Sequence, residues 1–361
     1  MTLVVDISSH GYGHLMQIAP AVRALQHLRP RLQLVARCDL PREIVADALG
    51  SAVCQASAPP DIGLVMAAPH LVDREATRQA YRELFTVLDR VTRTEIAALE
   101  AIGAKAVLAD VAFMGLRAAA AMGLPSVALS SLHWGEMVRY YIGDSAEGMG
   151  IAAVIEEIYN EAKAFLLAAP RRDIEGISRI ERVPPLVRHW GRKSKAEILR
   201  CLGLNGDFKI GLVAFGGVPL ASTAVTIPER SNWIWITPHA ALALTSGRPD
   251  IIDARRLAPF SVLDLLASSD LVLTKSGYGT FVECAYYGVP CLFLSREDWP
   301  EASDLESWMT NNGYGSPLAV TAVSDGSWVE MAETLLPSSR IPLPELGHEA
   351  AAMRSLQLLE L

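Results

Sequence analysis

Residues 268–294 read SSDLVLTKSGYGTFVECAYYGVPCLFL and carry the signals of a strand, a turn, a helix and a second strand. The apolar run 271–273 has the length of a short buried strand. A Lys-Ser-Gly-Tyr-Gly turn follows, and residues 280–287 are predicted to form a helix that ends at Gly288. The apolar run 289–294 then predicts a second strand, so the unit places a glycine loop at the start of a helix.

A glycine loop in this position suits a phosphate group. Backbone N–H groups at a helix start carry partial positive charge, and glycines let a ligand approach the backbone. The helix dipole contributes only about 0.3–1 kcal/mol, so a diphosphate needs the hydroxyls of Ser276 and Thr280 and the charge of Lys275 as well. Glu283, one turn into the helix, can accept hydrogen bonds from a ribose diol. An ordinary βαβ turn remains the alternative, because a loose glycine pattern is a weak signal.

Composition limits the class of protein. A chain of 361 residues predicts two domains. The formal net charge of −8, without a basic run, argues against a nucleic-acid partner. Five scattered cysteines have no metal-binding spacing and predict reduced thiols in a cytoplasm. The N-terminus reads as a strand rather than a signal peptide, and no apolar run reaches the roughly 18 residues of a membrane span. The hydrophobic fraction of 51% leaves an apolar membrane-docking patch open.

The first predicted strand, residues 3–7, leads into a loop rich in glycine and histidine. Residues 8–14 read SSHGYGH, and a helix is predicted over 16–28. His14 would lie at the carboxyl edge of the sheet, where open α/β sheets bind their ligands, and imidazole is suited to accept a proton near neutral pH. Gly11 and Gly13 favour a site, with His10 as a weaker candidate. The alternative is a loop or capping histidine without chemistry.

Asp110 directly follows the predicted strand 106–109, so its carboxylate can point to the same sheet edge as His14. It could orient the imidazole or bind an acceptor hydroxyl, and a helix-capping aspartate is the alternative. Between the two lies a segment, residues 74–102, that is predicted to be one long helix.

The second half repeats the strand–glycine-turn theme. A strand over 209–215 precedes Gly216 and Gly217, and an acidic loop after Leu294 carries Glu301 and Asp304, which suit sugar hydroxyls or a polar helix start. The stiff pair of prolines at 184–185 marks the linker. The predicted domains are 1–183 and 184–345, with 346–361 forming a terminal helix that packs back on the first domain.

The combination of motifs resembles the GT-B glycosyltransferases. It is most similar to the group of the lipid-II-forming N-acetylglucosaminyltransferase and to the N-terminal glycosyltransferase-like region of plant-type arabinokinases. The likeness covers nearly the whole chain. The similarity to the arabinokinase region is carried by Gly11-Tyr12-Gly13-His14, Asp61-Ile62-Gly63-Leu64-Val65, Ala109-Asp110-Val111, Val183-Pro184-Pro185-Leu186-Val187-Arg188, Phe215-Gly216-Gly217 and Lys275-Ser276-Gly277-Tyr278-Gly279-Thr280. The resemblance implies an α/β protein of GT-B fold, with two Rossmann-like domains whose parallel sheets face a central cleft.

The same resemblance implies a reaction and a site. A sugar would pass from a nucleotide-diphosphate sugar, UDP-linked by analogy, to an acceptor hydroxyl, without a metal or a further cofactor. The second domain would bind the donor and the first the acceptor, with His14 as base. Glu283 would bind the ribose and Glu301 with Asp304 the sugar. The donor site would comprise Gly216, Gly217, Lys275, Ser276, Gly277, Tyr278, Gly279, Thr280, Glu283, Glu301 and Asp304; the acceptor side His10, Gly11, Gly13, His14 and Asp110.

Other functions remain open at the level of sequence. A hydrolase or epimerase of the same fold would use a similar loop, and a non-catalytic module could sense a nucleotide sugar. No kinase half follows, so sugar-kinase activity is not expected. The predicted location is the cytoplasm, with peripheral contact to the inner membrane face left open by the lipid-linked acceptors of the resembling group. The identities of sugar and acceptor are not specified.

Overall fold

The computed structural model describes residues 1–68, 71–215, 225–239, 242, 246–335, 343 and 345–361. The chain divides into two compact units. The first comprises Met1–Val187 together with Glu345–Leu361, and the second comprises Arg188–Pro344. The sequence-based boundaries were 183/184 and 345/346.

The first unit is built on a seven-stranded parallel sheet. Its strands run in the order β3-β2-β1-β6-β7-β8-β9, and β4 and β5 form a separate antiparallel pair. All five residues of β1 are buried, as expected for a strand with helices on both faces of the sheet. The strands are β1 (Thr2–Asp6), β2 (Gln33–Arg37), β3 (Cys54–Ala56), β4 (Met66–Ala68), β5 (Leu71–Val72), β6 (Ala106–Ala109), β7 (Ser126–Ser130), β8 (Phe165–Ala168) and β9 (Ile180–Val183).

The described helices of the first unit correct the sequence-based prediction in two places. The helix after β1 begins at Tyr12, four residues earlier than expected, so Gly13 and His14 lie in its first turn. The predicted helix over 74–102 is two helices separated at Val87. The helices are α1 (Tyr12–Leu28), α2 (Arg42–Leu49), α3 (Arg74–Thr86), α4 (Leu88–Ile102), α5 (Phe113–Ala121), α6 (Trp134–Ile142) and α7 (Ala146–Glu161).

The second unit has a six-stranded parallel sheet in the order β12-β11-β10-β13-β14-β15. Its strands are β10 (Lys209–Val213), β11 (Trp233–Thr237), β12 (Ile251–Asp253), β13 (Leu271–Lys275), β14 (Cys291–Leu294) and β15 (Gly315–Leu318). Its helices are α8 (Lys195–Cys201), α9 (Val262–Ser268), α10 (Tyr278–Tyr287), α11 (Ala302–Asn311), α12 (Val320–Asp325) and α13 (Trp328–Leu335), with a 3₁₀ turn at Ala254–Leu257. A stack of Trp233 on Trp235, with Trp328 edge-on to Trp235, fills the core on one face.

The chain ends in α14 (Gly347–Leu358), which belongs to the first unit. Gly347 N–H donates to the Pro185 carbonyl over 2.8 Å, and α14 packs against α1. Arg354 makes a two-point ion pair with Glu181 on β9, at 2.6 and 2.7 Å. Within the described parts of the chain, none of the helices has both the length and the apolar character required to span a bilayer.

Candidate active site

His14 and Asp110 meet at the carboxyl edge of the first sheet. His14 Nδ1 lies 3.2 Å from Asp110 Oδ2, and both side chains are largely buried. The start of α1 depends on Gly11, whose φ of 127° is a conformation that residues with a Cβ rarely adopt. That turn brings the first helical residues, His14 included, over the end of the sheet.

The Asp110 carboxylate is held by the backbone rather than by capping a helix. Its Oδ1 accepts N–H hydrogen bonds from Ser8 at 3.0 Å and from Ala112 at 3.1 Å, and the cap position of α5 belongs to Ala112. Fixing one oxygen leaves the other directed at the imidazole. The pair is an ion-pair contact in which Nδ1 of the His14 ring faces the Asp110 carboxylate.

His10 links the loop after β1 to a distant segment of the chain. Its Nε2 lies 2.7 Å from the Leu64 carbonyl oxygen. Gly63 makes this approach possible, because a Cβ at that position would stand 2.3 Å from His10 Cδ2. The indole of Trp134 contacts both histidine rings edge-on, with centroids 5.3 Å from His10 and 5.5 Å from His14. The loop after β1 is thereby joined to residues 61–65.

Asp61 lies in this joined segment, and the sequence analysis gave it no chemical role. Both of its carboxylate oxygens are buried, beside the side chains of Ser8 and Trp134. Burial raises the pKa of Asp61 to about 6; the side chains of Ser8 and Trp134 and the His14 ring oppose this rise, and the Asp110 carboxylate adds to it. The signal in the sequence was its place in a motif shared with plant arabinokinases.

The glycine loop of the second unit connects β13 to α10. The helix begins at Tyr278, two residues earlier than predicted, and Gly277 is its N-terminal cap without a capping side chain. A Cβ added at Gly279 would meet no atom within 4 Å, so the backbone there is open to a close approach. Tyr278 is buried and Thr280 is partly exposed beside the same turn.

The Ser276 hydroxyl, expected to face a diphosphate, has protein partners instead. Ser276 Oγ bonds Glu306 on α11 and lies 3.2 Å from the Leu294 carbonyl oxygen. Glu306 also accepts hydrogen bonds from Ser295 Oγ at 2.9 Å and from the Arg296 N–H at 3.2 Å. Glu306 therefore fixes the loops after β13 and β14 against each other, a role that the sequence analysis missed.

Basic side chains gather at the carboxyl edge of the second sheet. Burial, followed by the charge of Arg296, lowers the pKa of Lys275 to about 8. His239, which follows β11, accepts a hydrogen bond on Nε2 from the Phe215 N–H at 3.0 Å. Burial, with a smaller effect of Lys275, lowers the pKa of His239. This edge has the charge to attract an anion, and His239 was not predicted as part of it.

Glu283 is buried and engaged by Arg188. Arg188 Nε donates to Oε1 at 2.5 Å and Nη2 donates to Oε2 at 2.9 Å. Each carboxylate oxygen retains a second acceptor site, so the predicted contact with a ribose stays a prediction.

The two acidic residues of the sugar loop lie at the start of α11. Glu301 is 4% exposed; its Oε2 lies 3.4 Å from Trp299 Nε1, and its Oε1 has no hydrogen-bond partner among the described residues. Asp304 is partly exposed in the first turn. Arg296 stacks over the Trp299 ring at 3.9 Å from its centroid, which fixes the loop that precedes the helix.

Two predicted residues, Gly216 and Gly217, lie outside the described residues. Across the ranges that the structure describes, no group of three or more His, Cys, Asp or Glu side chains is arranged to hold a metal ion.

Two α/β units, each built on a parallel sheet, are the architecture of the GT-B fold, and solved structures confirm this fold. The spinosyn rhamnosyltransferase SpnG superimposes with a TM-score of 0.61 over 100% of this chain and 96% of its own, at 18% identity. A UDP-glucosyltransferase from Polygonum tinctorium superimposes with a TM-score of 0.60 over 100% of this chain and 98% of its own, at 13% identity.

A curated relative supports the second resemblance seen in the motifs. The L-arabinokinase of Arabidopsis thaliana is 27% identical over 339 residues, which cover 91% of this chain and 31% of the plant protein. The chain thus spans less than a third of that relative's length. No protein-family model matches the chain. The resemblances to GT-B glycosyltransferases and to plant arabinokinases are confirmed.

Proposed function

We propose that this protein is a glycosyltransferase that moves a sugar from a nucleotide-diphosphate sugar to an acceptor hydroxyl. The contact of His14 Nδ1 with Asp110 Oδ2 at 3.2 Å carries the proposal. An imidazole oriented by a fixed carboxylate, at the ligand-binding edge of a parallel sheet, is the arrangement of a general base. The fold is one that glycosyltransferases use, which supports this choice among base-catalysed reactions.

The proposed step is a substitution at the anomeric carbon of the donor sugar. His14 Nε2 takes the proton of the acceptor hydroxyl while the oxygen of that hydroxyl forms a bond to the anomeric carbon. The bond between the carbon and the diphosphate oxygen breaks, and the diphosphate leaves with the electron pair. Asp110 stabilises the imidazolium that results. A positioned base of this kind contributes about 10²- to 10⁴-fold to the rate.

The second unit would bind the donor and stabilise the leaving diphosphate. Lys275, Arg296 and the N-terminus of α10 supply positive charge at one sheet edge without a metal ion. Glu301 Oε1, buried and without a described partner, would accept a hydrogen bond from a sugar hydroxyl. Asp304 and Glu283 keep their predicted contacts with the sugar and the ribose as part of the proposal.

The donor nucleotide is proposed to be UDP. The similar enzyme from Polygonum tinctorium is a UDP-glucosyltransferase, while the spinosyn rhamnosyltransferase has been solved with thymidine diphosphate. Both nucleotides are pyrimidines, so UDP and dTDP form the first comparison. We place the activity in the cytoplasm; the five free cysteines support that location.

Calorimetric titration with UDP, dTDP, GDP and CDP tests the donor site. We expect saturable binding of one diphosphate and its loss in Lys275→Met. Lys209→Met is the matched control, because Lys209 begins β10 at the opposite edge of the same sheet and lies over the Trp233 ring. Absence of binding to all four diphosphates would overturn the proposal.

Product analysis then separates the alternatives. A transferase consumes the nucleotide sugar only with an acceptor, whereas a hydrolase releases free sugar in water and an epimerase changes the sugar while it stays attached. A sensor binds the donor without turnover, and His14→Ala would leave all its properties unchanged.

A further inference from the structure

Asp61 is a buried carboxylate beside the His14–Asp110 pair that the proposed step does not use. Both of its oxygens are buried, and the neighbouring Ser8 and Trp134 side chains that stabilise them carry no charge. It is also within electrostatic reach of both His14 and Asp110. An ionised carboxylate in such a place weakens the folded state unless another charge compensates it. Its position therefore calls for an explanation other than stability.

Contacts on both sides fix the segment that follows Asp61. His10 Nε2 bonds the Leu64 carbonyl oxygen at 2.7 Å and packs on Gly63. On the other side, the Val65 N–H donates to Thr77 Oγ1 at 3.0 Å, and the Val65 carbonyl accepts from the Asp73 N–H at 2.8 Å. The segment that follows Asp61 is thus held between the start of α3 and the loop after β1, which leads into His14.

Side chains from several elements interact electrostatically with Asp61. Ser8 comes from the loop after β1, His14 from α1, Tyr81 from α3, Asp110 from the loop after β6, Trp134 from α6 and Tyr159 from α7. Tyr81 Oη and Trp134 Nε1 are buried as well, and the Trp134 side chain stabilises the Asp61 carboxylate. Of the four side chains with the largest effects on Asp61, His14 is the one that can carry a positive charge.

We propose that Asp61 is a positioning residue of the acceptor half-site that, with Asp110, stabilises the protonated form of His14; this inference rests on the proposed function. Asp110 orients the ring through direct contact, and Asp61 adds a second negative charge to the surroundings of His14. When His14 takes the acceptor's proton, the imidazolium gains two carboxylates in place of one. Because each charge favours the other, the two groups titrate as a coupled pair.

The test is the titration of His14 in the full-length protein without any substrate. The ¹³Cε1 resonance of His14 is assigned with His14→Gln and followed against pH by NMR. In Asp61→Asn, which removes the charge and keeps the shape, we expect the His14 midpoint to fall by about one pH unit, at the lower end of the effect of a nearby opposite charge. Asp39→Asn is the matched control, since Asp39 is an exposed carboxylate that accepts a hydrogen bond from the Ala58 N–H. In this variant the titration midpoint of His14 should equal that of the wild type.

An unchanged His14 midpoint in Asp61→Asn overturns the inference. If that variant does not fold, the titration curve of His14 in the wild-type protein tests the inference. Coupling predicts a second inflection of the His14 resonance near pH 6, where Asp61 titrates. A single-step curve contradicts the coupling. In a transferase assay, the acid limb of kcat/KM should shift in the same direction as the NMR midpoint. The nucleotide titrations test the proposed function separately, because they involve the second unit and do not depend on Asp61.

Discussion

Two different kinds of contact hold His14, and neither makes its side chain part of the hydrophobic core. The helix start at Gly11 places the side chain, and the Asp110 carboxylate orients the ring. Neither contact requires His14 for the packing of α1, whose buried face lies at Leu15, Ile18 and Val22. Substituting His14 should therefore affect turnover far more than stability.

We expect His14→Ala to lower kcat about 10²- to 10⁴-fold, the usual contribution of a general base, with donor affinity unchanged. His27→Ala is the control, because His27 is an exposed histidine in the last turn of the same helix. Steady-state kinetics and calorimetry measure the two quantities. Normal turnover in His14→Ala would exclude it as the base.

The burial of Asp61 predicts a pH dependence of the free energy of unfolding that can be measured without any substrate. Burial raises its pKa from 3.8 to about 6, so the folded protein binds this proton more tightly than the unfolded chain. The free energy of unfolding therefore falls as pH rises from about 4 through 6 and Asp61 ionises. Above that range the residue is fully ionised and the destabilisation is complete. Asp61→Asn should be more stable than wild type at pH 8 by up to about 3 kcal/mol, and this gain should shrink towards pH 4.

Urea unfolding at pH 4.5 and pH 8 measures this difference, with Asp39→Asn as the variant of equal charge. A gain that is the same at both pH values would show that the effect is not the ionisation of Asp61.

The sequence identified His14 and Asp110 because each directly follows or closely follows a predicted strand, and strand ends converge at one sheet edge. It did not identify Asp61 as a group acting on His14. That proximity depends on the contact of His10 with Leu64, which are 54 residues apart in the chain. No local pattern encodes such a contact. For the same reason the Ser276–Glu306 bond, which joins two loops, was not foreseen.

At the scale of elements, the loop between β13 and α10 carries a lysine whose charge is marginal near neutral pH. Burial and Arg296 lower the pKa of Lys275 to about 8, so its amine is charged below that pH and neutral above it. The terminal phosphate of a nucleotide, with a pKa of roughly 6, is already ionised throughout this range. We expect diphosphate affinity to fall several-fold between pH 7 and pH 9.5 as Lys275 loses its proton.

Lys275→Arg is the control for this prediction, because a guanidinium keeps its charge over the whole range. Calorimetry at both pH values should show a much smaller change for the variant. Equal pH dependence in the two proteins would mean that another group causes the change.

The pairing of Glu283 on α10 with Arg188 complicates any test of ribose binding. Both groups are largely buried, at 3% and 18% side-chain exposure. Glu283→Ala leaves the guanidinium without its carboxylate, and we expect a loss of about 3–5 kcal/mol in the free energy of unfolding. The double variant Glu283→Ala/Arg188→Met should recover much of this loss. Glu283→Gln keeps the shape, and a fall in nucleotide affinity of about 1.5–3 kcal/mol in this variant would support the ribose contact.

A double-mutant cycle by chemical denaturation measures the coupling. Additive effects of the two substitutions would show that the ion pair contributes nothing to stability.

Regular elements followed from the sequence more closely than their ends did. The strand, turn and helix around Lys275 are where the apolar runs and glycines indicated. Helices α1 and α10 both begin earlier than predicted. Their first residues lie in glycine-rich stretches that the sequence indicated as loops, whereas Gly11 and Gly277 are the N-terminal caps of the helices. The break between α3 and α4 at Val87 has no glycine or proline signal, and apolar spacing continues through it.

At the scale of the whole molecule, the resemblance to the GT-B fold predicted two parallel α/β sheets, and both are present. The sequence predicted a terminal helix that returns to the first unit, but its sixteen residues do not specify which surface they cover. In the structure that surface is α1, with Arg354 bonded to Glu181 on β9. The first unit is therefore assembled from both ends of the chain.

This arrangement predicts that a change in the last helix weakens the first unit. Leu356 on α14 is 5% exposed, while Met353 on the same helix is 49% exposed. Leu356→Ala should lower the free energy of unfolding of the first unit by about 2–5 kcal/mol, whereas Met353→Ala should have little effect because its side chain is already in water. Hydrogen exchange read by mass spectrometry resolves the effect by position: exchange should rise in peptides of β1 and β7 and stay constant in peptides of β13. Faster exchange in β13 alone would place the helix with the second unit, contrary to the fold described here.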